Sequence, residues 1–195
     1  MKRLLDISFV ILISPVVLPL VLLLAALVTM DGGLPFYSQF RLGRGGRSFR
    51  MIKLRSMVVD ADARLVEHLA ADPAARAEWD RDQKLNSDPR ITPIGAILRK
   101  LSLDELPQLW NVLRGDMSLV GPRPMMPSQR DIYPGHAYWR LRPGLTGPWQ
   151  ISGRSKTSFA ARADFDQAYD ATCSLSQDVR LLFATVGVVL RATGR

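Results

Sequence analysis

Cysteine and histidine are scarce in this chain of 195 residues, which contains one cysteine, Cys173, and two histidines, His68 and His136. A single thiol cannot form an intrachain disulfide or a cysteine metal cluster, and this usage suits a reducing cytosol. The two histidines lie far apart in the sequence and lack a partner at ligand spacing, so we expect neither a zinc site nor a Cys/His nucleophile. Carboxylates remain as the best-placed candidates for a nucleophile.

Acidic residues are fewer than basic ones, 18 against 26, and the formal net charge is +8. Six basic residues fall within 15 positions, namely Arg41, Arg44, Arg47, Arg50, Lys53 and Arg55. We do not expect nucleic-acid binding, because proteins that bind nucleic acids usually interleave basic with stacking aromatic residues or carry a recognisable helix motif. This cluster instead follows an apolar segment, where positive charge favours the cytoplasmic side and attracts anionic lipid headgroups. Phosphate-bearing ligands are a further explanation of the positive charge.

Long apolar runs are absent except at the N-terminus, where the 24 residues from Ile7 to Met30 carry no charge. As a helix this run is long enough to cross a bilayer core of about 30 Å. Pro15, which follows Ser14, and Pro19 each remove a helix hydrogen bond, so we predict two short helices joined at a bend. A bent segment can enter and leave the membrane on the same side. A plain single-pass anchor and a cleaved signal peptide are the alternatives, and the latter lacks a convincing A-x-A cleavage site.

An acidic pair, Asp104 and Glu105, lies at the start of a helix that we predict from about Asp104 to Arg114. Apolar residues recur there at helical spacing: Leu106, Leu109, Trp110 and Leu113. Gly115 supplies the stop after the last of them. Pro107 lacks an amide hydrogen and is tolerated only in the first turn, which favours a start next to Asp104.

The acidic pair has two interpretations. Ser102 and Glu105 have the spacing of a capping box, in which both side chains satisfy backbone amides and no chemistry occurs. Alternatively, one carboxylate faces a reacting phosphorus while the other holds a metal ion. The neighbours favour phosphate chemistry, since Arg99 and Lys100 precede the pair and the proline-locked turn Gly121-Pro122-Arg123-Pro124 follows it.

Helical patterns fill much of the remaining chain. Residues 58–85 fit a solvated helix or helix pair, residues 86–93 a turn-rich linker, and residues 94–101 an amphipathic helix. From Phe159 onward the pattern is again helical, and the apolar stretch Val179 to Leu190 either packs against the core or lies in a membrane interface. Glycines at 43, 45 and 46 indicate a tight turn, most simply that of a hairpin.

These patterns predict a mostly helical α/β fold with few or short strands. We divide the chain into a membrane-anchoring re-entrant helix at residues 1–33 and a compact cytoplasmic catalytic domain with amphipathic interfacial helices at residues 34–195.

Three stretches resemble the bacterial sugar transferase family, the monotopic polyprenyl-phosphate phosphoglycosyltransferases. LSLDELPQLWNVLRGDMSLVGPRP, residues 101–124, is similar to the signature of that family. Residues 41–43 and 49–57 resemble its RxG and FKxxKFRSM stretches, and residues 142–154 resemble RPGxTGxWQxxGR. The family has a re-entrant membrane helix broken at a Ser-Pro pair. In this chain Pro19 is the match by position, but Leu18 precedes it, whereas the Ser-Pro pair lies one turn earlier at Ser14 and Pro15.

The resemblance implies transfer of a sugar 1-phosphate from a UDP-sugar, with galactose or glucose favoured, to undecaprenyl phosphate as the first step of exopolysaccharide synthesis. It makes Asp104 the nucleophile, which forms an acyl-phosphosugar intermediate and releases UMP. Glu105, with Asp104, is expected to bind Mg²⁺ or Mn²⁺. Phosphate and nucleotide contacts are expected from Arg99, Arg123, Arg154, Arg55 and Lys53. Asp116 is either a second metal contact or a cap of the next segment, and we favour the cap.

The implied setting is the cytoplasmic face of the bacterial inner membrane. Its lipids and downstream glycosyltransferases are the expected partners, nucleic acid is not, and a homo-oligomer is left open. The chief alternative is a non-enzymatic basic scaffold bound to the membrane, in which the acidic pair only caps a helix. A soluble secreted binding protein is a third hypothesis, and it requires cleavage near residues 26 to 30.

Overall fold

A computed structural model of the chain describes residues 1–82, 85–152 and 159–190. Its helices are α1 Lys2–Thr29, α2 Ala61–Ala71, α3 Pro73–Asp82, α4 Pro93–Lys100, α5 Gln108–Arg114, α6 Ala137–Arg140, α7 Pro148–Ile151, α8 Arg162–Thr172 and α9 Leu175–Leu190. Short 3-10 turns occupy Arg44–Gly46, Leu103–Glu105 and Pro127–Gln129. The prediction of a mostly helical fold with short strands is confirmed.

Two small sheets complete the fold. Strands β1, Phe36–Leu42, and β2, Ser48–Leu54, form an antiparallel hairpin in which Phe36 pairs with Leu54 and Leu42 with Ser48. Gly45 and Gly46 have φ of 68° and 77° in the hairpin turn, a conformation that glycine adopts without steric cost, as the hairpin interpretation requires. Strands β3, Ser118–Val120, and β4, Gly144–Thr146, pair in parallel.

Helix α1 is continuous across both prolines, so the predicted pair of short helices is wrong. Pro15 has no amide hydrogen to donate to the carbonyl of Ile11, four residues earlier. The hydroxyl of Ser14 donates to that same carbonyl at 2.8 Å. A side-chain hydrogen bond therefore replaces a missing backbone one, and the helix continues.

One face of α1 packs on the rest of the chain over the whole length of the helix, while the opposite face is exposed and apolar. Its buried residues recur at helical spacing: Asp6, Val10, Val21, Ala25 and Val28. Leu12 and Val16, on the other face, are 76% and 74% exposed. By length and composition α1 is sufficient to cross a membrane. Its two faces differ, since one packs on the domain and the other is exposed and apolar.

Polar contacts fasten both ends of α1. Near its start, the buried carboxylate of Asp6 accepts hydrogen bonds from the Ser118 hydroxyl at 2.9 Å and from the Leu119 amide at 3.1 Å, both in β3. Near its end, a guanidinium nitrogen of Arg55 lies 2.6 Å from the Asp31 carboxylate and donates to the Val28 carbonyl at 2.9 Å. These contacts fix α1 against β2 and β3.

The main core lies between α1, the hairpin, α5, β3 and the last two helices. It is built from Val10, Phe49, Met51, Leu109, Val112, Met117, Leu119, Val120, Tyr169 and Leu181. Fully buried Asn111 joins α5 to β2, because its side chain accepts from the Ile52 amide at 3.1 Å and donates to the Arg50 carbonyl at 2.7 Å. These two hydrogen bonds fix β2 beside the segment that carries the acidic pair.

Helix α5 begins later than predicted, at Gln108, and residues 103–105 form a separate 3-10 turn. In a helix that began at Asp104, Pro107 would occupy the position whose amide makes the first bond back along the helix. The proline therefore marks a helix boundary. The predicted end is confirmed, since Gly115 adopts φ 89° as the left-handed cap.

The predicted helices before the acidic pair are confirmed as α2, α3 and α4. Thr92 caps α4, because its hydroxyl accepts from the Gly95 amide at 3.0 Å. Helix α9 packs against the core through buried Leu181, while Phe183 is 75% exposed.

Replacing Asp6 with alanine should lower the free energy of unfolding by roughly 2–4 kcal/mol, because the Ser118 hydroxyl and the Leu119 amide would remain buried without an acceptor. Chemical denaturation in detergent micelles measures this change. Asp6→Asn keeps one acceptor oxygen and should lose less stability. An Asp6→Ala variant as stable as the starting protein would contradict the docking of α1 on β3.

Candidate active site

The acidic pair lies on the Leu103–Glu105 turn between α4 and α5, and strained backbone precedes it. Ser102 has φ 56° and is the only non-glycine residue with positive φ in the part of the chain that the structure describes. This left-handed conformation costs roughly 1–2 kcal/mol for a residue with a Cβ atom. The Ser102 side chain makes no capping hydrogen bond, so the capping-box interpretation is wrong. Such strain is concentrated at functional sites.

Asp104 is buried, with 6% of its surface exposed, and its carboxylate lies 3.8 Å from the Lys53 ammonium. Burial raises the pKa of Asp104, and the charge of Glu105 raises it further. The positive charges of Lys53, Arg99 and Arg123 act in the opposite direction, with Lys53 the strongest. The net direction is upward. The carboxylate is thus poorly solvated, and nearby cations favour its charged form.

Glu105 connects the acidic pair to two other segments. Its carboxylate accepts a hydrogen bond from the Lys53 ammonium at 2.8 Å and lies 3.6 Å from a guanidinium nitrogen of Arg123. Lys53 is on β2, and Arg123 follows β3. Three segments that are distant in sequence therefore meet at one pair of carboxylates.

The turn that carries Arg123 is fixed at its base by close backbone packing. A Cβ atom at Gly121 would lie 2.2 Å from the carbonyl oxygen of Arg142, and the Gly121 amide donates to the Thr146 carbonyl at 2.9 Å. Only glycine allows this approach of β3 to β4. Pro122 then restricts the backbone just before Arg123.

Two arginines that sequence reasoning did not assign to the site lie beside Arg123. Arg162 stacks on the ring of Trp149, with its guanidinium carbon 4.2 Å from the ring centroid, and the same carbon of Arg123 lies 6.0 Å from that centroid. Arg41 donates to the Pro124 carbonyl at 3.4 Å. Burial, and next the charge of Arg123, lower the pKa of Arg41 and of Arg162 to about 10.

Of these two arginines, Arg41 could have been found from the sequence, because it is part of the resembled RxG stretch. Nothing in the sequence distinguishes Arg162 from the other arginines.

The structure brings together most, but not all, of the predicted site residues. Lys53 pairs with Asp104 and with Glu105, Arg123 pairs with Glu105, and the charge of Arg99 acts on Asp104. Arg55 is not part of this cluster, since its guanidinium binds Asp31 and backbone carbonyls near the end of α1. Arg154 lies outside the described residues. Asp116 accepts from the Asn111 side chain at 3.3 Å and pairs with Arg114 at 3.5 Å.

The acidic pair suits a hard divalent cation. Mg²⁺ and Mn²⁺ prefer oxygen ligands, and Mg²⁺ sites often use one or two protein carboxylates completed by water and substrate phosphates. Within residues 1–82, 85–152 and 159–190, no group of three or more His, Cys, Asp or Glu side chains is arranged to hold a metal ion. Asp104 and Glu105 would thus supply only part of a coordination shell, and would share their oxygens with Lys53.

Comparison with known proteins identifies relatives of the whole described chain. A family model described as "Bacterial sugar transferase" matches residues 1–192. The chain is 50% identical over its full length to a UDP-galactose-lipid carrier transferase of Erwinia amylovora, and 47% identical to an undecaprenyl-phosphate galactose phosphotransferase of Salmonella typhimurium. It spans 41% of the length of each of these two relatives. It is 45% identical to the exopolysaccharide production protein ExoY of Sinorhizobium fredii, with 99% of this chain and 87% of that protein aligned.

Replacing Lys53 with methionine should raise the pKa of Asp104 further, because the strongest of the cations that favour its charged form would be lost. The carboxyl carbon of Asp104, followed by NMR through a pH titration, reports this change. Lys100→Met, which removes an exposed ammonium, should leave the titration unchanged. A downward shift in Lys53→Met would contradict the placement of the ammonium beside Asp104.

Proposed function

The chain belongs to the bacterial sugar transferase family, and from this premise we propose that it transfers a sugar 1-phosphate from a UDP-sugar to undecaprenyl phosphate and releases UMP. Galactose or glucose is the favoured sugar, and exopolysaccharide assembly is the favoured process. The observation that carries the proposal is the acidic pair, with Asp104 buried and Glu105 half-buried, held on a strained turn between Lys53 and Arg123. The names of the relatives from Erwinia, Salmonella and Sinorhizobium agree with this reaction.

In the first step, a carboxylate oxygen of Asp104 attacks the phosphorus that bears the sugar. A bond forms between that oxygen and the phosphorus, while the bond from this phosphorus to the oxygen that bridges it to UMP breaks. UMP leaves with the electron pair. Burial supports Asp104 as the nucleophile, because a poorly solvated carboxylate has less water to displace before it attacks. The product is an aspartyl phosphosugar.

In the second step, a phosphate oxygen of undecaprenyl phosphate attacks the phosphorus of the aspartyl phosphosugar. The bond to Asp104 breaks and the carboxylate is regenerated, so the sugar phosphate is carried on a lipid diphosphate. Two successive displacements on one enzyme group predict ping-pong kinetics.

Both substrates are polyanions, so attack by a carboxylate requires charge neutralisation. Lys53 and Arg123 lie at the acidic pair and Arg99 acts on it electrostatically, which suits them for binding phosphate oxygens. Glu105, together with Asp104, would hold the divalent cation, Mg²⁺ or Mn²⁺, whose chemistry is to neutralise charge on the diphosphate. Arg154 is proposed as a nucleotide contact through the resemblance alone.

We also propose that α1, although one continuous helix, is bent at Pro15 and Pro19 and is the re-entrant membrane element, and that the catalytic domain rests on the cytoplasmic face of the inner membrane. Both ends of α1 contact the same domain, through Asp6 and through Asp31 with Arg55. A helix that crossed the bilayer would carry these ends to opposite sides of a hydrocarbon core of about 30 Å. The exposed apolar faces of α1 and α9 suit a helix lying against lipid, where the polyprenyl substrate also resides.

The scaffold alternative is not favoured, because the capping contact on which it depends is missing at Ser102. Downstream glycosyltransferases remain proposed partners, since the product is a lipid-linked sugar that further transferases can extend.

Asp104→Asn should abolish UMP release, because an amide is a poor nucleophile. Intact-protein mass spectrometry after incubation with UDP-galactose or UDP-glucose, without lipid, should show a sugar-phosphate adduct on the starting protein and none on the variant. Asp80→Asn, a surface change of equal size, should retain the adduct. Full turnover in Asp104→Asn would refute the assignment of Asp104 as the nucleophile. Folded protein that releases no UMP from any UDP-sugar would refute the proposed reaction.

Chelation with EDTA should stop UMP release, and added Mg²⁺ should restore it. Glu105→Gln should require a higher Mg²⁺ concentration for half-maximal rate, because a neutral amide is a weaker ligand than a carboxylate. Rates measured over a Mg²⁺ series compare the variant with the starting protein. An unchanged Mg²⁺ requirement would contradict the role of Glu105 as a metal ligand.

A further inference from the structure

We propose that Arg41 and Arg162 flank Arg123 to form a pocket for phosphate oxygens, the arginine pocket, next to the acidic pair. The pocket recognises either the diphosphate of the nucleotide donor or the phosphate of the lipid acceptor, which share the same chemistry. This inference rests on the proposed function, and extends its phosphate-binding set to two residues that neither the family comparison nor the sequence assigned.

The geometry begins at Trp149, which is 8% exposed on α7. Arg162 stacks on this ring at 4.2 Å, and Arg123 lies within 6.0 Å of the same centroid. Arg162 also lies 4.8 Å from the ring centroid of Phe159. Aromatic faces hold a guanidinium by its plane and leave its in-plane N–H groups for acceptors. The two rings therefore fix Arg162 without satisfying its donors.

Arg41 approaches Arg123 from the hairpin. One guanidinium nitrogen donates to the carbonyl of Pro124, the residue after Arg123, and another donates to the Gln39 side chain at 2.6 Å. Arg41 is thus anchored at two nitrogens beside the turn that carries Arg123. The carboxylate of Glu105 lies 3.6 Å from a guanidinium nitrogen of Arg123, so the three arginines adjoin the acidic pair.

The protein leaves one donor of each of these arginines, Nε, without an acceptor. The Nε atoms of Arg41 and Arg162 are buried and have no hydrogen-bond acceptor, and neither guanidinium forms an ion pair with a carboxylate in the described part of the chain. Buried donors without acceptors and clustered like charges are both costly. A bound oxyanion supplies the opposing charge that the cluster lacks, and the planar guanidinium matches phosphate oxygens.

Asp166 is an acidic residue whose charge acts on Arg162, but it does not take the place of a bound anion. Its carboxylate accepts a hydrogen bond from the Tyr133 hydroxyl at 2.7 Å. Its charge raises the pKa of Arg162, but less than burial and the charge of Arg123 lower it. The arginine pocket therefore keeps an excess of positive charge next to Asp104.

Arg162→Gln in the full chain, reconstituted in nanodiscs, tests the proposal by equilibrium binding of two separate probes, UDP and undecaprenyl phosphate. We expect the Kd for one probe to rise roughly 10- to 100-fold, the range for loss of hydrogen bonds to a charged group. The matched control, Arg76→Gln, removes the same charge from an exposed ion pair with Asp80 and should leave both Kd values unchanged. Weaker UDP binding assigns the pocket to the donor, and weaker lipid binding assigns it to the acceptor.

Unchanged affinity for both probes, or no binding of either by the starting protein, would overturn the arginine pocket. Arg162→Lys keeps the positive charge but loses the planar guanidinium, so it separates an effect on phosphate binding from an effect on folding. A purely structural role would lower the melting temperature and leave Kd unchanged at temperatures well below it. If Arg162→Gln does not fold, Arg41→Gln undergoes the same titrations.

The two proposals fail in distinguishable ways. Arginine-dependent UDP binding without UMP release from any UDP-sugar would refute the proposed reaction and keep the pocket. UMP release with probe affinities that do not depend on Arg162 or Arg41 would refute the pocket alone.

Discussion

Burial of Asp104 is the constraint on which the rest of the structure depends. A carboxylate removed from water is strongly destabilised unless cations and hydrogen-bond donors lie near it. Its own segment cannot supply them all, so Lys53 comes from the hairpin and Arg123 from the turn after β3. The fold must hold these segments in register, because an unpaired buried charge would cost more than a typical packing defect.

That register is maintained by polar groups inside the core. Asn111 joins α5 to β2 and so positions Lys53 relative to the acidic turn. Asp6 joins α1 to β3 and so supports the strand that leads to Arg123. The helix with the apolar exposed face is therefore a structural part of the site as well as its proposed contact with lipid. The proposed membrane attachment and the placement of the charges depend on the same packed helix.

The patterns that were interpreted correctly are local ones. Periodicity predicted α4 and Gly115 predicted the end of α5, since both signals depend on a few adjacent residues. Two predictions about proline were wrong, because each rested only on the amide hydrogen that proline lacks. Ser14 satisfies the carbonyl that Pro15 leaves free, so the helix continues. Pro107 is the N-cap of α5 and so precedes the first turn of that helix.

The sequence by itself determined the acidic pair, the proline-locked turn of Arg123 and the apolar N-terminal helix, because these depend on residue type and short spacing. Only the tertiary structure decided which cations reach the pair. Arg55 lies two residues after Lys53, just past the end of β2, yet it pairs with Asp31 while Lys53 pairs with Glu105. The tertiary structure also brought Arg162 to Trp149 and Arg41 to the turn that carries Arg123, from distant parts of the chain. Long-range packing sets such contacts, and spacing along one chain does not encode them.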